Sequence, residues 1–320
     1  MDLHSVGFPT DSNPVVVADV KANIFFLSNE TLALYFEQRA PATTPPSYRF
    51  KVLTFNTTGQ MIAHRVFRAD GKSLDVSSGP NQSILLRGSE RLDFLDTRLQ
   101  FIKSYPLPSK TVGRSFDRAS NQLVIITMDE QSGNRNARFL NANTFEELTV
   151  LAYPKRSRAI FGNKQLGFTL PGNCAGALHV QPEPENWKSV ESLETCDALT
   201  FVGNKSLAYA TSQDLYVVRQ SGEQLFHGHI PAPVSFNLPN FVGLSDDHTR
   251  LALMATMKQG LLARKPGTWP YYNEIFVYDL TAKKLLFKHR LTGGYAAAFS
   301  PDGHHLATIE SGSLNILSIP

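Results

Sequence analysis

Histidines are the first residues whose types and spacing could do chemistry. His227 and His229, in "FHGHI", stand at i and i+2, so on a strand they share one face and could ligate a metal together. No third ligand can be named for them from the chain, and polarity at a rim accounts for the pair more simply. His304 and His305 fall in the polar turn "SPDGHH", where solvent is their expected surrounding. Carboxylates gather in "DEQ" (129–131) and "SDD" (245–247), places where turn chemistry already favours Asp. Cys174 and Cys196, the only cysteines, stand 22 apart and match no zinc motif, which wants four ligands in close pairs. There is no G-x-S-x-G elbow, phosphate loop or H-E-x-x-H. No catalytic residue, cofactor or metal is assigned; whether the chain is an enzyme stays open, with the residues leaning against it.

Composition bounds the elements that must carry these residues. A 320-residue chain that is 42% hydrophobic and 18% charged has enough apolar mass for one large all-β domain spanning 1–320. Its 19 prolines and 21 glycines are spread throughout, which implies many turns. The net charge of +3 has no basic stripe behind it: "YPKRSR" (153–158) and "LLARKPG" (261–267) are short, so nucleic acid is not an expected partner. No run approaches the roughly 18 apolar residues that a spanning helix needs, and "MDLHSVGFPTDSNP" lacks the basic start and apolar stretch of a signal peptide.

Self-similarity supplies the scaffold. "FSPDGHHLA" (Phe299 to Ala307) is an apolar residue, a polar turn and then Leu-Ala. The form recurs as "LSDDHTRLA" (Leu244 to Ala252) and "FDRASNQLV" (Phe116 to Val124), and in shorter versions from Phe201, Phe161 and Leu27. A degenerate copy begins at Val76. Six steps from Leu27 to Phe299 cover 272 residues, about 45 each, a propeller-blade period. A second unit of strand, polar turn and strand follows the first in each repeat, as in 50–67, 92–105, 137–151, 215–230 and 275–291. The strands are rich in Val, Ile, Phe, Tyr and Leu, as the pleat prefers. The reading is an all-β, seven-bladed β-propeller of four-stranded antiparallel blades.

The units "FSPDGHHLA" and "VYDLTAKKLL" resemble those of bacterial WD-repeat-like and YVTN-type propellers. The Trp-Asp pair of such repeats is replaced by Tyr278-Asp279 and Leu95-Asp96, and their Gly-His signature has no regular counterpart. The resemblance implies a fold and a habit of binding, and it carries over no catalytic residue.

In such a fold the long B–C loops, 37–48, 129–137 and 257–274, collect on one face, where repeat proteins usually bind. A non-enzymatic scaffold engaging a protein or peptide on that face is therefore the leading expectation. The insertion at 257–274 offers Arg264, Lys265, Trp269, Tyr271 and Tyr272, a hot-spot composition, against the plainer reading of a small local core. The alternative class is a hydrolase- or lactonase-like enzyme, or a small-ligand binder, at the mouth of the central channel. Cys174 and Cys196 fall on one face of adjacent blades, so they are either a disulfide or two separate buried thiols. The expected location is periplasmic or extracellular, as a disulfide would imply, with a cytoplasmic one as the alternative. A monomer is expected. The final "AAAFSPDGHHLATIESGSLNILSIP" supplies three strands, and "NPVVVAD" (13–19) is expected to add the fourth and close the ring, so that deleting 1–20 would destabilise the domain.

Overall fold

The structure, a computed structural model, describes residues 1–8, 22–38, 48–69, 75–88, 90–155, 157–162, 164–169, 178–181, 198–203, 205–211, 213–219, 221–230, 239–258, 271–291 and 294–320. Its sheets are the antiparallel blades of a β-propeller. Each is a meander in which successive strands pair with their chain neighbours.

The first sheet contains β1 (Ala22–Phe26), β2 (Thr31–Gln38), β3 (Tyr48–Asn56) and β4 (Met61–Ala69); the second contains β5 (Asp75–Ser78), β6 (Ile84–Arg87), β7 (Arg91–Leu95) and β8 (Phe101–Pro106). Then come β9 (Thr111–Asp117), β10 (Gln122–Met128), β11 (Asn134–Asn141) and β12 (Glu147–Pro154), followed by the three strands β13 (Arg158–Gly162), β14 (Gln165–Thr169) and β15 (Leu178–Gln181). Two more four-stranded sheets follow: β16 (Ala198–Phe201), β17 (Ser206–Ala210), β18 (Asp214–Arg219) and β19 (Gln224–His229), then β20 (Asn240–Leu244), β21 (Arg250–Lys258), β22 (Tyr271–Asp279) and β23 (Lys284–Leu291). The last sheet has β24 (Gly294–Phe299), β25 (His305–Glu310) and β26 (Ser313–Ser318). Two compact units result: residues 1–108 with 291–320, and residues 109–290.

Why these segments form strands is visible in their burial. Leu32, Ala33 and Leu34 on β2, Leu123, Val124 and Ile125 on β10, and Leu251, Ala252 and Leu253 on β21 are each 0% exposed. Successive side chains of a strand point to opposite faces, so three in a row with no exposure means both faces are covered. The outermost strands instead leave apolar side chains in solvent, Phe101 on β8 at 61% and Val66 on β4 at 46%.

The turns rest on Asx chemistry. Asp96 Oδ1 accepts from the Arg98 and Gln100 amides at 2.9 and 2.8 Å, and Asn56 Oδ1 accepts from the Gln60 amide at 2.8 Å. In the last sheet Ser300 Oγ donates to Asp302 Oδ1 at 2.6 Å and accepts from the His305 amide at 2.8 Å. Ser245 Oγ does the same with Asp247 and the Arg250 amide, at 2.6 and 2.9 Å. The Tyr278-Asp279 pair is also structural. Tyr278 is buried with its hydroxyl donating to the His229 carbonyl at 3.1 Å, while Asp279 Oδ1 accepts from the Ala282 amide at 2.7 Å.

The segment expected to pair with β26, residues 13–19, lies outside the described residues. The pairing that is described involves the first three residues. Met1 N donates to the Leu314 carbonyl and the Leu314 amide to that of Met1, both at 2.8 Å; Asp2 bridges Ser313, and the Leu3 amide donates to the Gly312 carbonyl at 2.8 Å. Leu3 and Phe8 then enter the core of this unit with Ile24, Phe26, Phe36, Ile309 and Leu314, Phe8 standing edge-on to Phe36 at 5.1 Å. Gly312 has φ +75°, a conformation that favours glycine, and a Cβ there would run into the His4 ring, so a side chain at 312 would displace His4.

Two outcomes follow. Leu3→Ala should lower unfolding free energy in urea by about 2–4 kcal/mol, the cost of a buried leucine cavity. Partial burial works to raise the Asp302 carboxyl, but the Ser300 hydroxyl, the His304 amide and the adjoining His305 and His304 hold it below the usual range. A folded pKa depressed in this way contributes stability that is present above the unfolded value of about 3.9 and is lost as pH falls through the lower folded value. The stability gap between the wild type and Asp302→Asn, read from urea melts, should therefore be widest near neutral pH and close below about pH 4.

Candidate ligand cavity

Within the unit of residues 109–290, four polar turns and the strand ends that lead into them surround a cavity of about 480 Å³. From β9 and its turn come Ser115, Phe116, Asp117, Arg118 and Ser120; from β13, Phe161 and Gly162; from β16, Thr200 and Phe201, with Gly203 beyond; and from β20 and its turn, Leu244, Ser245, Asp246 and His248. The apolar residues precede the turns because each strand ends on the residue that begins the repeat motif. Hydroxyls and charges follow because the turns require polarity.

Two glycines stand in the wall, one for space and one for its backbone conformation. A Cβ on Gly162 would press on the Phe201 ring at 3.2 Å. Gly203, at φ +68°, lies under the His248 ring, with Nδ1 3.6 Å from where its Cβ would be. His248 has φ +59°, a left-handed conformation that non-glycine residues rarely take.

Superposing the repeats separates scaffold from site. Asp117 pairs with Gln122 across the β9–β10 turn, and the Ser245 amide donates to the Arg250 carbonyl across the β20–β21 turn. In the last sheet the Ser300 amide bonds the His305 carbonyl in the same way. Arg118, Asp246 and Pro301 thus occupy one equivalent turn position. Since proline serves there in the last sheet, neither the guanidinium nor the carboxylate is needed to make the turn.

Those two side chains are electrostatic partners. Burial pulls the Arg118 guanidinium below its usual value, and Asp246 opposes that pull. Burial also pushes the Asp246 carboxyl up; Arg118 and His248 work against the rise, while Asp117 and Asp247 add to it. Asp247 itself is held below the usual carboxylate range: partial burial would raise it, but bonds from Ser245 and Thr249 and the Arg250 charge outweigh that. Ser120 Oγ donates to Asp117, as Ser245 Oγ does to Asp247, so both hydroxyl protons are committed to carboxylates in turn geometry. The arrangement is built to hold a polar group, with no serine aimed at an adjacent base.

The expected site residues divide otherwise. Arg264, Lys265, Trp269, Cys174 and Cys196 lie outside the described residues. Tyr271 and Tyr272 open β22, both half-buried; Tyr272 packs against the core containing Phe276 and Tyr278, under the Arg290 guanidinium at 4.0 Å. His227 and His229 do share a face, and the register of β18 and β19 supplies the carboxylate invisible in sequence. Asp214 Oδ1 lies 3.0 Å from His227 Nε2 and 3.2 Å from His229 Nδ1, and the His227 ring stacks on Tyr216 at 4.7 Å. Among the described residues no group of three or more His, Cys, Asp or Glu has the arrangement to hold a metal ion, nor is any helix long and apolar enough to cross a membrane. Arg118 and Asp246 were missed by motif reading, although aligning the three turns marks the position.

Solved structures with the same fold are β-propellers. The uncharacterized protein lmo1340 from Listeria monocytogenes EGD-e matches with a TM-score of 0.55 at 12% identity, covering 93% of this chain and 94% of its own. BBS1N, crystallised in complex with ARL6DN, matches at 0.53 with 14% identity, covering 91% and 89%. Kluyveromyces lactis Hsv2 matches at 0.51 with 12% identity, covering 92% of each. At these identities the likeness bears on fold. No protein-family model matches the chain, and no curated protein sequence matches it.

Removing the cation from the pair is a direct check of the electrostatics. In Arg118→Met the Asp246 carboxyl keeps its partial desolvation and loses its main compensating charge. Its titration, followed by the carboxyl ¹³C shift, should move further up in pH; a midpoint that does not move would show that the two groups are not coupled.

Proposed function

We propose that this protein is a non-enzymatic binding scaffold that receives a protein or peptide segment in the cavity formed by the turns of residues 109–290. One observation carries the reading: Arg118, half-buried, and Asp246, exposed at the rim, face a common cavity from a turn position that the fold fills elsewhere with proline. Burying charge costs free energy unless it is compensated, so a half-buried guanidinium that the turn does not need, with a carboxylate facing the same cavity, is best accounted for by a ligand. BBS1N, a chain of this fold, carries a partner in its crystal structure with ARL6DN. The cavity volume also lies inside the range of small-molecule sites, roughly 300–1,000 Å³, which favours a small polar ligand as the second reading. The blades number seven in this proposal, the last completed by N-terminal residues, in keeping with the Asp2–Ser313 bridge; deletion of residues 1–20 should then lower the midpoint of thermal unfolding for the whole domain.

Partner capture by wild type, Arg118→Ala and Trp269→Ala, each checked for folding by circular dichroism, separates the two faces. Loss of a partner with Arg118→Ala but not Trp269→Ala is expected. The reverse pattern would move the interface to the loop at 257–274. A thermal shift with small polar compounds and no partner lost from either variant would favour the second reading.

A further inference from the structure

We infer that the cavity selects a cation on an aliphatic stem, the side chain of arginine or lysine in a bound segment. This rests on the cavity being the binding site, as proposed above, and adds the chemistry of what it binds.

Charge is the first argument. The cavity is lined by two carboxylates, Asp117 and Asp246, and one guanidinium, Arg118. Its carboxylates thus outnumber its guanidinium two to one. The adjoining Asp247 adds to the negative field at Asp246. An incoming anion would meet two carboxylates around the single guanidinium, which already has Asp246 as a partner. An incoming cation would supply the compensation that Arg118 alone leaves incomplete: Asp246 stays above the ordinary carboxylate range even with Arg118 and His248 pulling it down.

The apolar lining is the second argument. Phe116, Phe161, Phe201 and Leu244 stand beside these charges. Arginine and lysine carry a three- or four-carbon stem under a charged head, and they cover apolar surface while keeping the head on polar groups. Phenyl rings also attract cations. The hydroxyls of Ser115 and Thr200 line the same cavity and offer acceptors for the remaining N–H groups. The volume of about 480 Å³ exceeds one side chain, so the residues flanking it in a segment enter as well.

The test uses the full chain and three probes: n-butylguanidinium, n-butylammonium and butyrate. The amide signals of Gly162 and Gly203, both in the cavity wall, report binding in ¹⁵N-correlated spectra. Either cation should shift both glycines saturably, while butyrate should not. Asp246→Asn should weaken the cations roughly tenfold or more, as the loss of a charge-assisted hydrogen bond would. Asp117→Asn gives the same reading if Asp246→Asn fails to fold, which the dispersion of its spectrum shows. Saturable binding of butyrate in preference to both cations would overturn the selectivity while leaving the cavity as a site, as would unchanged cation affinity in both carboxamide variants. Silence of both glycines to all three probes, with partner capture intact in Arg118→Ala, would overturn the site itself.

Discussion

Burial of the second strand of a sheet on both faces is the constraint from which the rest of this structure follows. Leu32, Ala33 and Leu34 show it in the first sheet, and Leu123, Val124 and Ile125 in the third. A single sheet covers neither of its faces, so a strand with no solvent face requires another layer on each side. Repetition of one unit along the chain meets that requirement with a single local solution. It also sends every first strand and every first turn to equivalent places, which is what allows four turns to line one cavity within residues 109–290.

The turns carry two kinds of residue, and the distinction organises the site. Ser245 with Asp247, and Ser300 with Asp302, make the same hydrogen bonds in two sheets, so their chemistry is spent on the backbone. Arg118 and Asp246 stand where Pro301 suffices, so their charge is free of that duty. A hydroxyl beside a carboxylate in this fold is a turn device, and a charged pair at a position the turn does not need is the better sign of function.

Several features were legible in the chain because they are local. The strand-turn-strand units at 50–67, 92–105, 137–151, 215–230 and 275–291 all became hairpins, since alternating apolar residues and a polar turn, Asx-based in every one but 215–230, act within about ten residues. The polar turns of "SPDGHH" and "SDDHT" fell where their serines and aspartates placed them. His227 and His229 did share a face, since period two is a property of any strand. Convergence was not legible. Asp214 reaches both histidines through the register of β18 and β19, and Leu3 and Phe8 dock in a core whose other members come from both ends of the chain.

By itself, the sequence determined an all-β repeat: the strands, their order and the polar turns between them. Each of these depends on residues close together along the chain. Only the tertiary structure decided that Arg118 and Asp246 line the same cavity. That meeting depends on strand registers and on the packing of successive sheets. Both are set by the summed burial of many apolar side chains, and no short stretch of sequence encodes that sum.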